Sequence, residues 1–238
     1  MKIDIMTLFP EFVDGILSES IIGRARRAGV LDITTHNIRD YSEDRHRRVD
    51  DTPYGGGRGM LMAAPPIYRC YEAVYGGRGY TDADRVKVLY MSPRGRIFDQ
   101  KAAAEYASLD GLIILCGHYE GVDERIIEEI VDEEVSIGDF VLTGGELPAC
   151  IVTDCVCRLC DGVLSDPECH ERESFSDGLL EYPQYTRPYE FHGRCVPDVL
   201  ISGHHENIEK WRREASVRLT EERRPDLIAD NGDQSIPK

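Results

Sequence analysis

Apolar and polar residues change their spacing several times along the chain, and each change marks an element. Lys2–Leu8 alternates polar and apolar positions and predicts a strand, which Phe9-Pro10 breaks. From Glu11 to Ala28, Phe12, Ile16, Leu17 and Ile21 recur at the 3.6-residue period of one helix. Gly29 ends that helix, and Val30–Ile38 reads as a second strand. A β-α-β opening of this kind predicts parallel strands joined by a right-handed crossover. Asp40–Met60 is a long polar, glycine-rich loop, of a length that is functional or disordered inside a compact domain. A helix over Ala63–Tyr75 and a loop over Gly76–Asp84 that would tolerate disorder follow. The next elements alternate: strand Val86–Met91, helix Asp99–Ser108, buried strand Gly111–Cys116, helix Val122–Val131, strand Glu134–Ile137 and helix Glu146–Cys160. Asp161–Gly178 is polar and without periodicity, as an interdomain linker would be. Tyr182–Pro188 reads as a turn, and amphipathic helices run from Gly203 to about residue 229, beyond which the end is expected to fray. No internal repeat is visible.

Three glycine-bearing joints stand out against this pattern. They are Ser92-Pro-Arg-Gly95, Gly117-His-Tyr-Glu-Gly121 and the long stretch Ser136–Pro148, and each follows an apolar strand. In the third, Gly138 and Gly144-Gly145 flank the apolar run Phe140–Leu142, and Glu146 opens a helix. Glycine reaches backbone conformations that cost other residues energy and lets the backbone approach a ligand closely. Joints of this kind at successive strand ends predict a pocket. Gly55-Gly-Gly-Arg-Gly59 is a different feature: the Lys-Ser/Thr of a phosphate-binding P-loop does not follow it. Tyr54 and the neighbouring arginines suit stacking on a nucleotide and pairing with it.

Composition narrows the class. A chain of 238 residues suits one large or two small domains. No secretory apolar segment opens it and no apolar run approaches the roughly 20 residues of a membrane helix, so a soluble cytoplasmic protein without a membrane partner is expected. The net charge of −16 argues against non-specific coating of nucleic acid. Charge is nonetheless uneven. Arg24, Arg26, Arg27, Arg39, Arg45, Arg47 and Arg48 cluster with His36 and His46, and Lys210, Arg212, Arg213, Arg218, Arg223 and Arg224 form a second basic stretch. Both fit selective docking of a polyanion, and both fit solvated helix faces. The eight cysteines are too few and irregular for a secreted disulfide scaffold. Cys155, Cys157, Cys160 and Cys169 cluster, but on a helix Cys155 and Cys157 point about 200° apart, and a second pair at metal spacing is missing. Buried or reactive free thiols are expected instead.

The order of motifs resembles one family nearly end to end. Thr7-Leu-Phe-Pro10, Asp51-Thr-Pro-Tyr-Gly-Gly-Gly57, Leu115-Cys-Gly-His-Tyr-Glu-Gly121, Ser136–Pro148, Tyr185-Thr-Arg-Pro188 and Ser202-Gly-His-His205 together resemble the bacterial tRNA (guanine-N1)-methyltransferases, the TrmD family of the SPOUT superfamily. The resemblance implies an α/β fold with a deep trefoil knot at its parallel sheet. It implies S-adenosylmethionine as methyl donor, the anticodon stem-loop of tRNA as partner, and methylation at N1 of the guanosine just 3′ of the anticodon, position 37. A knot departs from the general rule for chain connections and cannot be read from periodicity. The resemblance further implies a homodimer whose active site draws on both subunits, and it suggests a magnesium requirement, although no metal-ligand constellation is readable. The implied division is a methyltransferase domain over residues 1–160, a linker over 161–178 and a helical tRNA-binding domain over 179–238.

The same resemblance assigns roles. Tyr90, Met91, Ser92 and Pro93, then Gly117, Tyr119, Glu120 and Gly121, match cofactor positions of the family. So do Ser136, Ile137, Gly138, Asp139, Phe140, Val141, Leu142, Gly144, Gly145 and Pro148. Backbone groups of Gly117, Ile137, Gly138 and Leu142 are expected at the adenine and ribose edges, and the Glu120 carboxylate near the sulfonium. N1 of guanine carries a proton that must leave, and a positioned carboxylate can take it while a cation or donor stabilises charge growing on O6. The family's base is an Asp directly before a Ser-Phe pair. Here Glu173 precedes Ser174-Phe175, which keeps the carboxylate and adds a methylene, with Asp177 as the alternative. The family's arginine falls at Arg158. Two other readings stand beside this one: a related knotted methyltransferase with another nucleoside target, and a catalytically silent RNA- or S-adenosylmethionine-binding module.

Overall fold

The computed structural model describes residues 1–81, 83–164 and 173–229. The chain divides into two compact units, Met1–Ser165 and Asp166–Lys238. In the first, the strands are β1 (Lys2–Thr7), β2 (Asp32–Asn37), β3 (Asp50–Asp51), β4 (Leu61–Met62), β5 (Val86–Ile97), β6 (Gly111–Cys116) and β7 (Glu133–Ser136). Five of them form a parallel sheet in the order β2-β1-β6-β5-β7. Central β6, Gly-Leu-Ile-Ile-Leu-Cys, is buried at every position, as a parallel strand covered on both faces must be. One face packs Ile3, Ile5, Leu112 and Ile114 against Val13, Leu17, Ala102, Val152 and Val156. These come from α1 (Pro10–Leu17), α4 (Gln100–Ala107) and α6 (Glu146–Cys157), with α2 (Ser20–Arg27) adding Ile22 and Ala25. The other face packs Met6, Ile113 and Leu115 against α3 (Ala64–Gly77) and α5 (Glu124–Ile130).

Four expectations are corrected here. The helix anticipated over Glu11–Ala28 is two helices, because the chain turns at Ser20, whose φ is +53°. The turn brings the Ser18 carbonyl so close that a Cβ on Gly23 would lie 1.9 Å from its oxygen. Burial shifts accordingly: Val13, Leu17, Ile22 and Ala25 are buried, while Phe12, Ile16 and Ile21 are exposed. Second, the strand expected to stop at Met91 continues to Ile97. Met91 and Arg96 both pair with Val135, so Ser92–Gly95 is a bulge inside β5 rather than its end. Third, Asp40–Met60 is not structureless, since β3 pairs with β4 (Asp50 opposite Met62). The helix expected to reach Cys160 ends at Cys157, with Arg158 as its C-cap.

The second unit holds a tight hairpin of β8 (Glu190–Phe191) and β9 (Arg194–Cys195), then α7 (Asp198–Ile201), α8 (His205–Arg223) and α9 (Pro225–Ala229). Two-residue strands carry no readable period, which is why the hairpin is invisible in the sequence. Thr220 of α8 is buried, accepting the Leu180 N–H at 2.9 Å and donating to the Ser216 carbonyl at 2.7 Å. Of the anticipated linker, residues 165–172, which include Cys169, lie outside the described residues. So do Asp82 and the terminal residues 230–238 that were expected to fray. No described helix is long and apolar enough to cross a membrane.

Candidate active site

A cleft of about 520 Å³ opens where β5, β6 and β7 give way to their glycine loops. Ligands of parallel α/β sheets bind at the carboxyl ends of the strands, and this cleft lies there. The β5 bulge, the loop from Gly117 to Val122 and the stretch from Ser136 to Gly145, with Pro148, line it. The structure thus gathers the expected cofactor residues in one place, except Asp139, which is exposed and not part of the lining.

Close approach explains the glycines. The Gly145 N–H donates to the Gly117 carbonyl at 2.9 Å, and a Cβ on Gly145 would lie 2.8 Å from the Cys116 Cα. A Cβ on Gly117 would come within 2.9 Å of the buried Tyr90 ring. Gly138 combines a φ of +142° with a Cβ position 2.6 Å from the Phe140 ring, so any side chain there is both strained and crowded. Opposite these tight contacts, apolar groups are left uncovered: Val141 is 84 % exposed and Phe140 53 %. Exposed apolar surface inside a cleft favours a ligand with an apolar face.

Acidic groups ring the opening. Arg94 spans the rim and pairs with Glu124 at 3.3 Å and Glu134 at 3.2 Å. Glu120 packs over the glycine-rich loop, where a Cβ on Gly59 would fall 2.4 Å from its Oε1. Backbone bonds tie the two together, Glu120 N–H to the Met60 carbonyl at 3.0 Å and Met62 N–H to the Gly121 carbonyl at 2.9 Å. Gly59, at φ +91°, is therefore required by the same loop that carries Glu120.

Several participants were not read from the sequence. His118, Arg94, Glu124 and Leu61 line the cleft, and His118 bonds through Nε2 to Glu146 at 2.7 Å. His118 lies inside a quoted motif, but its partner is 28 residues away, and only the fold joins them. Cys116 lies beneath this pair. Burial first, then the charges of Glu146 and Cys150, push its thiol well above the ordinary range. Burial and Glu146 likewise push Cys150 up to about 11, and burial with Asp4 and Asp40 pushes Cys70 up to about 12. These thiols stay protonated and unreactive at neutral pH. Among the described residues, no three His, Cys, Asp or Glu side chains gather as metal ligands would.

Arg158, the expected partner of O6, is not part of the cleft lining. Arg158 caps the far end of α6 and lines a separate groove of about 430 Å³ with Ile16, Ile21, Leu147 and Ile151. Glu173 belongs to the second unit, on a turn in which its carbonyl accepts the Ser176 N–H at 3.2 Å. In that turn Phe175 has φ +78° and donates its N–H to the Leu179 carbonyl at 2.8 Å, and Ser174 Oγ accepts the Glu181 N–H at 3.0 Å. Asp177 is held by Arg213 and accepts the Leu179 N–H at 3.2 Å.

The first unit has the architecture of an α/β enzyme, a parallel sheet with a ligand-sized cleft of glycine loops at its strand ends. The profile of the family described as tRNA (Guanine-1)-methyltransferase TrmD matches residues 1–230. A tRNA (guanine-N(1)-)-methyltransferase of Lachnospira eligens is 56 % identical over 230 residues, covering 97 % of this chain and 96 % of its own. Those of Ruminiclostridium cellulolyticum (54 % over 228 residues, 96 % of each chain) and Clostridioides difficile (48 % over 234 residues, 98 % and 100 %) are similar over the same span. The chain belongs to the tRNA (guanine-N1)-methyltransferase family, and it is a methyltransferase of that type.

Proposed function

We propose that the cleft of the first unit binds S-adenosylmethionine and that the enzyme methylates N1 of guanosine 37 in tRNA. One observation carries this reading: in a chain of this family, three separate glycine joints converge on a single cleft. The cleft suits the donor on its own terms. Its walls pack so closely that a Cβ at Gly117, Gly138 or Gly145 would strike Tyr90, Phe140 or the Cys116 backbone, Phe140, Val141 and Leu142 offer apolar cover, and Glu120 supplies negative charge. Backbone groups of Gly117, Ile137, Gly138 and Leu142 would hold adenine and ribose. When bound, S-adenosylmethionine supplies an electrophilic methyl group.

The remaining chemistry falls to this chain's side chains. Glu173 takes the proton from guanine N1 as base, and Arg158 offsets the charge that develops on O6. Asp177, whose carboxylate is held by Arg213 and the Leu179 N–H, is the alternative base. Arg158 stands about 18 Å along α6 from the cleft end of that helix, by its twelve residues. A composite site, in which each cleft takes its arginine from a second copy, accommodates that separation. Exposed Phe12, Ile16, Ile21, Leu147 and Ile151 give a second copy an apolar face to cover. The proposal includes the trefoil knot, a methyltransferase domain over 1–160, a linker over 161–178, a helical tRNA-binding domain over 179–238 and a cytoplasmic location.

The test is single-turnover methyl transfer to two tRNA transcripts, with guanine or adenine just 3′ of the anticodon, in the presence and absence of magnesium. The expected product is N1-methylguanosine, with the guanine transcript alone. Donor binding without turnover would make the protein a silent module, and a methyl group on another nucleoside would reassign the target.

A further inference from the structure

Three chain segments meet behind the cleft in one hydrogen-bonded line. Glu146 is 5 % exposed, and both of its carboxylate oxygens are engaged: Oε1 accepts the Thr7 hydroxyl at 2.6 Å, and Oε2 accepts His118 Nε2–H at 2.7 Å. Thr7 itself is fully buried, and its oxygen accepts the Phe9 N–H at 2.9 Å. With that N–H pointing at its lone pair, the hydroxyl hydrogen is left for Glu146. A carboxylate only accepts, so His118 Nε2 must carry its hydrogen, and the Phe9 ring 4.9 Å away covers the imidazole. Gly144 pairs with His118 in an antiparallel bridge, and a Cβ there would fall 2.2 Å from His118 Nε2.

Burying a carboxylate is costly unless its oxygens are satisfied, and an apolar contact would join these segments at less cost. What an apolar contact lacks is direction. Two fixed hydrogen bonds set the distance from the start of α6 to the end of β1 and from the start of α6 to the loop at Gly117–Gly121. Gly144, Gly145 and Pro148 around the start of α6, and the loop that carries Tyr119 and Glu120, are two walls of the cleft. We infer that Thr7, Glu146 and His118 are positioning residues for methyl transfer, a relay that fixes the separation of the two walls that hold the donor. The inference rests on the cofactor reading above for its ligand, while the relay itself can be followed without one.

The test compares breaking variants (Thr7→Val, His118→Leu) with conservative ones (Thr7→Ser, which keeps the hydroxyl, and His118→Gln, whose amide can still donate). Donor affinity is measured by calorimetry with S-adenosylmethionine, steady-state kinetics with tRNA, and amide exchange at Gly117–Gly121 and Gly144–Gly145 in the ligand-free full chain. Thr7→Val and His118→Leu are each expected to raise donor Kd and KM by about ten-fold or more, since displacement of a supporting contact misplaces the bound group. The KM for tRNA stays unchanged, exchange at both glycine segments accelerates, and the conservative variants return near wild type. The double variant should fall short of the product of the singles, because both act through Glu146. Thr7→Val with wild-type exchange, or multiplicative singles, overturns the relay. If a breaking variant does not fold, the other and the two conservative variants decide: a change in donor KM no larger in the breaking variant than in its conservative counterpart also overturns it. Wild-type protein that fails to bind the donor, with exchange responding as expected, would overturn the cofactor reading and leave the relay standing.

Discussion

Glu173 is proposed as the base on the family resemblance, and its chemistry makes that proposal testable. Its carboxylate precedes Ser174-Phe175, and its neighbour Asp177 is tied to Arg213. Glu173→Gln keeps shape and reach but cannot accept a proton, so the single-turnover rate should fall by about 10²-fold or more. Glu173→Asp should retain activity. If a carboxylate must be ionised to take the proton, the wild-type single-turnover rate should fall at acid pH. Asp177→Asn abolishing the rate while Glu173→Gln spares it would move the base to Asp177. Asp4 makes a stability argument at the same scale. Fully buried in β1, it accepts from His36 at 2.7 Å, Arg78 at 2.9 Å and the Tyr80 hydroxyl at 3.1 Å. Burial, then Asp4, pushes the Tyr80 phenol up, so it stays a donor at neutral pH. Asp4→Ala takes a fully buried acceptor from His36, Arg78 and Tyr80, leaving Arg78 only its pair with Asp32, and should cost about 1–3 kcal/mol in urea denaturation. A loss under 1 kcal/mol would mean that solvent replaces the contact.

At the scale of elements, the glycine joints work because strands deliver them to the same edge of one sheet. Gly145 has an ordinary φ of −83°, so its role is space and not backbone freedom. Gly145→Ala would press a methyl group on the Cys116 backbone, pushing α6 away from β6. Donor affinity should fall at least ten-fold with a stability loss of about 1–3 kcal/mol, read by calorimetry and thermal melting. Unchanged affinity in the folded variant would remove α6 from the cleft wall. On α8 the basic residues are not equivalent. Arg212 lies over the Tyr182 ring at 4.9 Å and Arg213 holds Asp177, so both have local structural work. Lys210 and Arg218 are exposed, and their joint reversal to Glu should weaken tRNA binding and lessen its salt dependence, leaving donor affinity intact. Identical tRNA affinity at two salt concentrations would make α8 a solvated surface.

For the whole molecule, the groove between α1, α2 and α6 is where the proposed second copy would dock. Ile151, 45 % exposed, sits within it beside Ile16 and Arg158. Ile151→Asp should convert a dimer to a monomer by light scattering and abolish methyl transfer while the fold and donor binding persist. A variant that stays dimeric and active would place the contact elsewhere.

Period and punctuation alone determined the alternating α/β order, the buried strand Gly111–Cys116 and the positions of the glycine joints. These depend on local spacing and on glycine's own backbone freedom, which a linear chain displays directly. The motifs likewise carried the family, because their order survives without coordinates. Only the tertiary structure split Glu11–Ala28 in two and turned Phe12, Ile16 and Ile21 outward, since a helical period identifies an apolar face without saying what covers it. Only the fold continued β5 through Ser92–Gly95, because the pairing that resumes at Arg96 is made with Val135, far along the chain. Thr7, His118 and Glu146 are the sharpest case. Their bonds join residues as far as 139 positions apart, and each is unremarkable in its own segment. A burial that makes a lone carboxylate costly, and so requires two donors, exists only once the sheet has brought all three segments to the same edge.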